Sequence, residues 1–473
     1  ACLVGSEMCI RDRSLCYTEF INDKEAIFMK KYDAIMIGFG KGAKTLAAVF
    51  AKQGKKVAMI EKSSKMYGGT CINEGCIPSK SLIVQAGKRT FSDAINKKEE
   101  ITSILRKKNF EKLNQNPNID VITAKASFVN PHVISYENEK GTKEIYGDYL
   151  FVNTGSVPII PNIQGIEHTK HIYVSADIMK EKEQPKTLAI IGGGYIGLEF
   201  SSMFARYGTQ VTVFEYGDRL VKREDEDIAL HIQQILERQG VQFEFKSNVL
   251  SVENVNDSDV IVTYKNKDGN IQQLTVNAVL LATGRKANTD GLHLEQAGVE
   301  TDARGAIKVN RYLQTSQPHI YAMGDVKGGL QFTYISLDDY RIVKDHIFGD
   351  KKRTTDNRGA IPYSVFIEPT FSRVGMSEEE AKNEGYEIKV AKLAVSAIPR
   401  AHVNECKEGV LKAIADAKTD KILGCVLLCT ASEEMINFVQ LAINLGLKTS
   451  DIANHIFTHP TMSEALNDLF GNF

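Results

Sequence analysis

The sequence is poor in several things. Its 473 residues include no tryptophan and only eight cysteines, and the 58 Lys+Arg are balanced by 59 Asp+Glu to a net charge of -1. That balance argues against a nucleic-acid or anionic-membrane partner, since either needs a surplus of positive charge. No apolar run approaches the 18 or so residues of a membrane-spanning helix. Eight cysteines are too few for a disulfide scaffold at this length, so their positions matter more than their number. What remains is ordinary globular composition, 43% hydrophobic and 25% charged, which excludes whole-chain disorder or a fibre. At roughly 150 residues per domain the chain has room for about three domains.

Residues 1–28 follow neither a helical nor a strand period. They lack a long apolar segment and make a poor signal peptide. The stretch CLVGSEMCIRDRS resembles translated sequencing-adapter sequence, and Met29-Lys30-Lys31 opens directly onto a strand. Residues 1–28 are therefore expected to be a non-native extension. Cys2, Cys9 and Cys16 leave the functional argument with them.

Two stretches share one architecture. The apolar strand Tyr32–Ile37 leads into Gly38-Phe39-Gly40-Lys41-Gly42-Ala43, a helix to about Gln53, and a strand at 56–60 closing on Glu61. Thr187–Ile191 leads into Gly192-Gly193-Gly194-Tyr195-Ile196-Gly197, a helix to about Tyr207, and a strand at 210–214 closing on Glu215. Each acid falls 23 residues after its first glycine. One such glycine pattern is weak evidence; two at matched spacing indicate a duplicated dinucleotide-binding βαβ unit. The first glycine permits the tight turn and the second admits a pyrophosphate. The third position, Ala43 or Gly197, lets helix and strand pack closely, and the acid accepts from a ribose diol. The helix N-terminus offers free N–H groups to the diphosphate.

Further apolar strands end at glycine turns, at Thr154-Gly155 and Thr283-Gly284, and Ile320–Met323 runs into Gly324-Asp325. A polar linker spans 349–358. Beyond it, strands at 365–366, 410–415 and 422–428 among helices suggest a separate α+β domain.

Between the two units lies Gly68-Gly69-Thr70-Cys71-Ile72-Asn73-Glu74-Gly75-Cys76-Ile77-Pro78-Ser79-Lys80. In an ideal helix, residues five apart are roughly 8–9 Å apart at Cα. A disulfide needs about 4.4–6.8 Å. A bridge here requires a distorted turn, which Gly75 makes easy, and small strained bridges are plausible labile or catalytic ones. Together with two dinucleotide units, a dithiol completes an electron path.

These motifs, with His459-Pro460-Thr461-Met462-Ser463-Glu464 near the C-terminus, resemble those of the class I flavin-dependent pyridine nucleotide–disulfide oxidoreductases, the family of glutathione reductase, dihydrolipoamide dehydrogenase and mercuric reductase. The resemblance covers essentially the whole chain from Met29. It implies an α/β fold with two Rossmann-like dinucleotide-binding domains and a C-terminal α+β dimerisation domain. The expected order is an FAD segment at 29–155, an NAD(P) domain at 156–277, a second FAD segment at 278–350 and an interface domain at 359–473. The stretches at 324–334 and 335–341 (GDVKGGLQFTY and ISLDDYR) resemble a bacterial reactive-chlorine-resistance branch, linked to reduction of hypothiocyanous acid and of copper(II).

Carried over by position, the resemblance gives Gly38, Gly40, Ala43 and Glu61 to the ADP half of FAD, with Thr70 near its pyrophosphate, Ala126 near the adenine and Gly155 alongside. Asp325 would bind the ribitol chain or pyrophosphate, and the backbone at Thr333 would face the flavin ring. Gly192, Gly194, Gly197 and Glu215 would hold the nicotinamide nucleotide, with Gly284 lining the site. Tyr195 resembles the gate that covers the flavin until nicotinamide displaces it. Lys80 and Glu199 resemble an ion pair beside flavin N5. Glu215 favours NADH, because a carboxylate accepts from a free 2′-OH and repels a 2′-phosphate, although Arg219, Lys222 and Arg223 follow closely.

The implied path runs from NAD(P)H through flavin to the Cys71–Cys76 bridge. Cys76 is then the flavin-side thiolate and Cys71 the outward thiol that attacks substrate. A thiolate needs an acid–base partner. His459, oriented by Glu464, would supply it to the other subunit's dithiol, which implies a two-fold homodimer. Cys425 and Cys429 are expected to be core thiols, and no metal site is expected. The tail after Asn467 has no cysteine, unlike relatives with a second redox pair. Lys41 and Lys44 either add charge to the FAD pyrophosphate or lie on an exposed helix face. The substrate expected is a small thiol-reactive oxidant, with hypothiocyanous acid first and copper(II) second. Dihydrolipoamide dehydrogenase, a mercuric- or glutathione-type reductase, and a non-catalytic flavin redox sensor are the alternatives; the segment Gln331-Phe332-Thr333-Tyr334 counts against the first. Need for reduced nicotinamide and the lack of a membrane segment point to the cytoplasm.

Overall fold

The computed structural model describes residues 29–473; the expected extension 1–28 lies outside the described residues. The first unit is a sheet built on β1 (Lys30–Ile37), whose Ala34, Ile35, Met36 and Ile37 are almost fully buried. A parallel strand covered on both faces reads as a continuous apolar run, as this one does. β2 (Val57–Glu61), β3 (Ile119–Thr123), β4 (Lys125–Phe128), β5 (Val133–Asn138) and β6 (Gly141–Val152) complete the sheet in the order β3-β2-β1-β6-β5-β4, and Ile320–Ala322 also pairs with β6. β1 runs parallel to both β2 and β6. Helix α1 (Lys41–Lys52) connects β1 to β2 and buries Leu46, Ala47 and Phe50, one apolar stripe at helical spacing.

The second unit repeats the first. Its parallel sheet runs Val241–Phe245, Gln210–Glu215, Thr187–Ile191, Ala278–Leu281, Ile172–Val174. Here the boundary expected at 277/278 is corrected. Ala278–Leu281, assigned to the second FAD segment, pairs with Thr187–Ile191 inside the nicotinamide sheet. Ser156–Pro158, assigned to the nicotinamide domain, pairs instead with Arg285–Ala287. A short apolar strand carries no local mark of which parallel sheet it will join.

After the linker, an antiparallel sheet orders as Tyr363–Val365, Phe371–Gly375, Ile422–Leu428, Val410–Asp416, Ile388–Ala394. Cys425 and Cys429 are buried in its core, where Cys429 contacts Met435. The linker itself is fastened. Arg358 pairs with Asp338 at 3.0 Å and with Asp339, and Arg353 pairs with Asp338. Asp339 also accepts from the Gly324 amide at 2.6 Å. The two aspartates of the ISLDDYR stretch thus tie the linker to the turn that carries Asp325.

Candidate active site

The helical stretch holding the cysteines is broken between them. Helix α2 (Thr70–Asn73) ends before Glu74, and α3 (Cys76–Gln85) begins after Gly75. A Cβ on Gly75 would lie 3.2 Å from the Thr70 carbonyl oxygen, so a larger residue would push the two pieces apart. The break brings the two cysteines close enough for each sulfur to act on the other's titration. Both cysteines are free in this structure.

The two sulfurs are electrostatically unequal. Cys76 is drawn down to about 6, first by the hydrogen bond from Cys71, against the opposing effect of burial, then by Thr333 and the charge of Lys80. Cys71 is pushed far above the ordinary thiol value by the same hydrogen bond and by burial. Local structure explains the asymmetry. Cys76 is the first residue of α3, where unpaired N–H groups favour an anion. Lys80 stands four residues on, one turn away on the same face. The Thr333 hydroxyl lies 3.6 Å from Cys76 Sγ. Sequence reasoning looked only to the Thr333 backbone.

Lys80 Nζ donates to both oxygens of Glu199, at 2.9 and 2.7 Å, and lies 4.7 Å from the Phe366 ring centre. The Phe366 amide donates to Glu199 at 3.0 Å. The pair is mostly shielded, with side chains 28% and 10% exposed. Tyr195 and Glu199 lie four apart on one helix, Tyr195–Arg206, so one face carries both. Phe332, Tyr334 and Tyr363 stack beside Thr333, with ring centres 5.1 and 6.2 Å from Phe332.

The glycine turns match between units. Gly38 (φ 97°) and Gly192 (φ 111°) take left-handed backbone, and a Cβ on either would lie 2.5 Å from a strand-end carbonyl, Asn153 or Ala282. The second glycines differ. A Cβ on Gly194 would meet nothing within 4 Å, an open approach to the helix N-terminus. At Gly40 it would strike the Asn153 side chain at 2.3 Å, so this glycine is required by packing as well as by any ligand. The Asn153 amide oxygen accepts from the Ala43 N–H at 3.0 Å. A Cβ on Gly197 would run into the Gly192 carbonyl oxygen of its own turn.

The strand-end acids also match. Glu61 accepts from the Phe39 and Ser63 amides at 3.1 and 3.3 Å, and Glu215 from Gly193 and Gly217 at 2.9 and 2.6 Å. Asp325 accepts from Ser156 at 2.8 Å, and burial raises its carboxyl. The Thr70 hydroxyl lies 3.8 Å from where a Gly155 Cβ would sit. Ala126 is buried in β4, and Gly284 follows the strand Ala278–Leu281. A left-handed glycine turn, a helix N-terminus opened by a glycine and an anchored acid in each unit fit a dinucleotide in each.

His459 stands apart from this cluster, on the last domain and 73% exposed; its Nδ1 lies 2.8 Å from Glu464. The sequence left three participants unseen or undecided. Lys44 is not exposed charge: its ammonium donates to the Gly68 carbonyl at 3.0 Å and to Asn109 at 2.7 Å, behind the loop leading to Cys71. Glu224 and Tyr363 meet Tyr195 from distant segments. No local motif marks any of them.

Known proteins resemble this chain over most of its length. The pyridine nucleotide-disulphide oxidoreductase model matches residues 32–339, and the dimerisation domain of that family matches residues 361–470. The pyridine nucleotide-disulfide oxidoreductase RclA of Escherichia coli (strain K12) is 50% identical over 93% of this chain and 99% of its own length. A mercuric reductase of Lysinibacillus sphaericus is 33% identical over 92% of this chain and 81% of its own. The structure of the Cu(II) complex of HOCl-induced flavoprotein disulfide reductase RclA from Escherichia coli superposes with a TM-score of 0.91 at 49% identity, covering 94% of this chain and 99% of that one. The chain belongs to the pyridine nucleotide-disulphide oxidoreductase family, as a flavoprotein disulfide reductase of the RclA branch using FAD and NAD(P)H.

Proposed function

We propose that this reductase removes a small thiol-reactive oxidant, with hypothiocyanous acid as the leading substrate. The observation that carries the reading is the placement of the two cysteines on either side of a broken helix, with Cys76 at the start of α3, beside the Thr333 hydroxyl and one turn from the Lys80–Glu199 pair. FAD would be held by the first unit, with Gly38, Gly40 and Glu61, and the nicotinamide nucleotide by the second, with Gly192, Gly194 and Glu215. Bound together, these cofactors supply the two electrons that return the oxidised pair to its dithiol.

The chain's own residues do the rest. His459 of the partner subunit, oriented by its Glu464, takes the Cys71 proton. The Cys71 thiolate attacks the sulfur of hypothiocyanous acid, and the hydroxide released takes that proton and leaves as water. Cys76, already a thiolate, then attacks the Cys71 sulfur, forming the bridge and expelling thiocyanate. Lys80, fixed by Glu199, holds positive charge beside Cys76. The position of Glu215 at the strand end supports NADH as donor, since its carboxylate repels a 2′-phosphate.

The test is a steady-state panel of hypothiocyanous acid, copper(II), mercury(II), glutathione disulfide and lipoamide with NADH and NADPH. The highest kcat/KM is expected with hypothiocyanous acid and NADH. Efficient turnover of lipoamide alone would overturn the substrate.

A further inference from the structure

Tyr195 is more firmly held than a residue that merely covers a site needs to be. Its hydroxyl lies 3.1 Å from Glu224 Oε1 and 3.3 Å from the hydroxyl of Tyr363. Tyr363 donates to that same Glu224 oxygen, and the two phenol rings tilt together with centres 5.5 Å apart. Glu224 is 2% exposed. Its other oxygen accepts from Arg373 Nη1 at 3.3 Å. Arg373, also buried, donates to the Arg223 carbonyl at 2.8 Å and to Glu380.

The chain reaches this cluster from three directions. Tyr195 opens the helix of the second glycine turn, and Glu224 precedes the helix Glu226–Arg238 of the same unit. Tyr363 and Arg373 are directly opposite each other on neighbouring strands of the last sheet. A buried carboxylate with two phenols and a guanidinium around it has its charge paired and its lone pairs used, which makes the arrangement worth keeping whole. Burial and the Glu224 charge push the Tyr195 phenol up to about 12, so it remains a hydrogen-bond donor at working pH.

We propose that Glu224 and Tyr363 are positioning residues for Tyr195, forming a buried latch that holds its ring in the covering position and sets how readily a nicotinamide ring displaces it. The inference rests on Tyr195 being the gate. When the ring swings out, its hydroxyl leaves Glu224, while Glu224 keeps Tyr363 and Arg373. The latch therefore resets without stranding a buried charge. Its effect is a population one: the apparent affinity for nucleotide falls in proportion to the fraction of closed enzyme.

The experiment is calorimetric titration of the FAD-loaded enzyme with NAD+, which binds without reducing it. Tyr195→Phe and Tyr363→Phe each keep an aromatic ring and leave the Glu224–Arg373 pair intact. Tyr195→Phe should tighten NAD+ about three- to tenfold, as expected for one hydrogen bond removed from the closed state, whereas Tyr363→Phe leaves Tyr195 as the one phenol on that Glu224 oxygen and should weaken NAD+ binding. A purely structural contact, once lost, would not tighten binding. If Tyr195→Phe binds NAD+ like the parent, or Tyr363→Phe tightens it, while Tyr195→Ala binds more tightly, the gate stands and the latch is refuted. If Tyr195→Ala also binds like the parent, Tyr195 is no gate and the inference falls with it.

Discussion

The sharpest consequence of the site geometry concerns the Cys76 thiolate. Its pKa of about 6 is set first by the hydrogen bond from Cys71 and next, among the favourable influences, by the Thr333 hydroxyl at 3.6 Å. A hydrogen bond to a charged group contributes about 1.5–3 kcal/mol, and the long sulfur–oxygen contact puts Thr333 at the lower end. One pKa unit corresponds to about 1.4 kcal/mol, so removing the hydroxyl should raise Cys76 by about one unit. The sign follows from charge: Thr333→Val withdraws a donor from the anion and favours the protonated form.

The clean background is Cys71→Ser, which prevents bridging and keeps a hydroxyl donor where the thiol stood. In it, the long-wavelength thiolate–flavin absorbance of the oxidised enzyme and the ultraviolet thiolate absorbance should fall together as pH drops through about 6. Adding Thr333→Val should move that midpoint up to about 7. Cys71→Ala should move it at least as far, because it removes the stronger donor. A midpoint that ignores Thr333→Val and Cys71→Ala alike would refute the assignment of the low pKa to these two hydrogen bonds.

Three further outcomes are expected. Heterodimers of one Cys71→Ser chain and one His459→Ala chain should recover about half of the parent turnover, because one site then has both an intact dithiol and the other subunit's histidine; no recovery would place the histidine in its own subunit's site. Glu199→Ala should destabilise the FAD-loaded enzyme by about 2–4 kcal/mol in chemical denaturation, since it strands the Lys80 ammonium and the Phe366 amide. A loss below about 1 kcal/mol would mean that water replaces the carboxylate. Burial draws Lys44 down to about 8. The unfolded lysine holds its proton to about 10.4, so between these values the unfolded chain binds more protons and stability should rise with pH. Lys44→Met should remove about 1–3 kcal/mol of that rise, and parallel stability–pH curves for the two proteins would exclude it.

Much of the chemistry was legible because it is local. Cys76 and Lys80, and Tyr195 and Glu199, are each one helical turn apart, so their common faces follow from helix geometry. The break at Gly75 follows from the mismatch between five helical residues and the reach of a sulfur pair. The two glycine turns and their acids repeat at one spacing, and the structure shows them hydrogen-bonded alike. The meeting of Lys80 with Glu199 was legible only through family resemblance, because 119 residues separate them.

Other assignments had no local mark. Ala278–Leu281 is an apolar strand that either parallel sheet could accept, and its neighbours alone assigned it to the second. Gly40 carries a glycine of the motif, yet its packing reason, the Asn153 side chain, comes from the far end of β6. Lys44 sits among charges that suggest an exposed face, and only the approach of α4 (Phe91–Asn114), bearing Asn109, encloses it. The partners of the Tyr195 hydroxyl, Glu224 and Tyr363, lie 29 and 168 positions from it.

By itself the sequence determined the periodic and the covalent: the duplicated units, the cysteine spacing, the helix faces and the histidine–glutamate pair. Tertiary structure alone decided what surrounds the two sulfurs and what holds Tyr195. Those depend on burial and on charges brought together from distant segments, and neither quantity exists until the chain has folded.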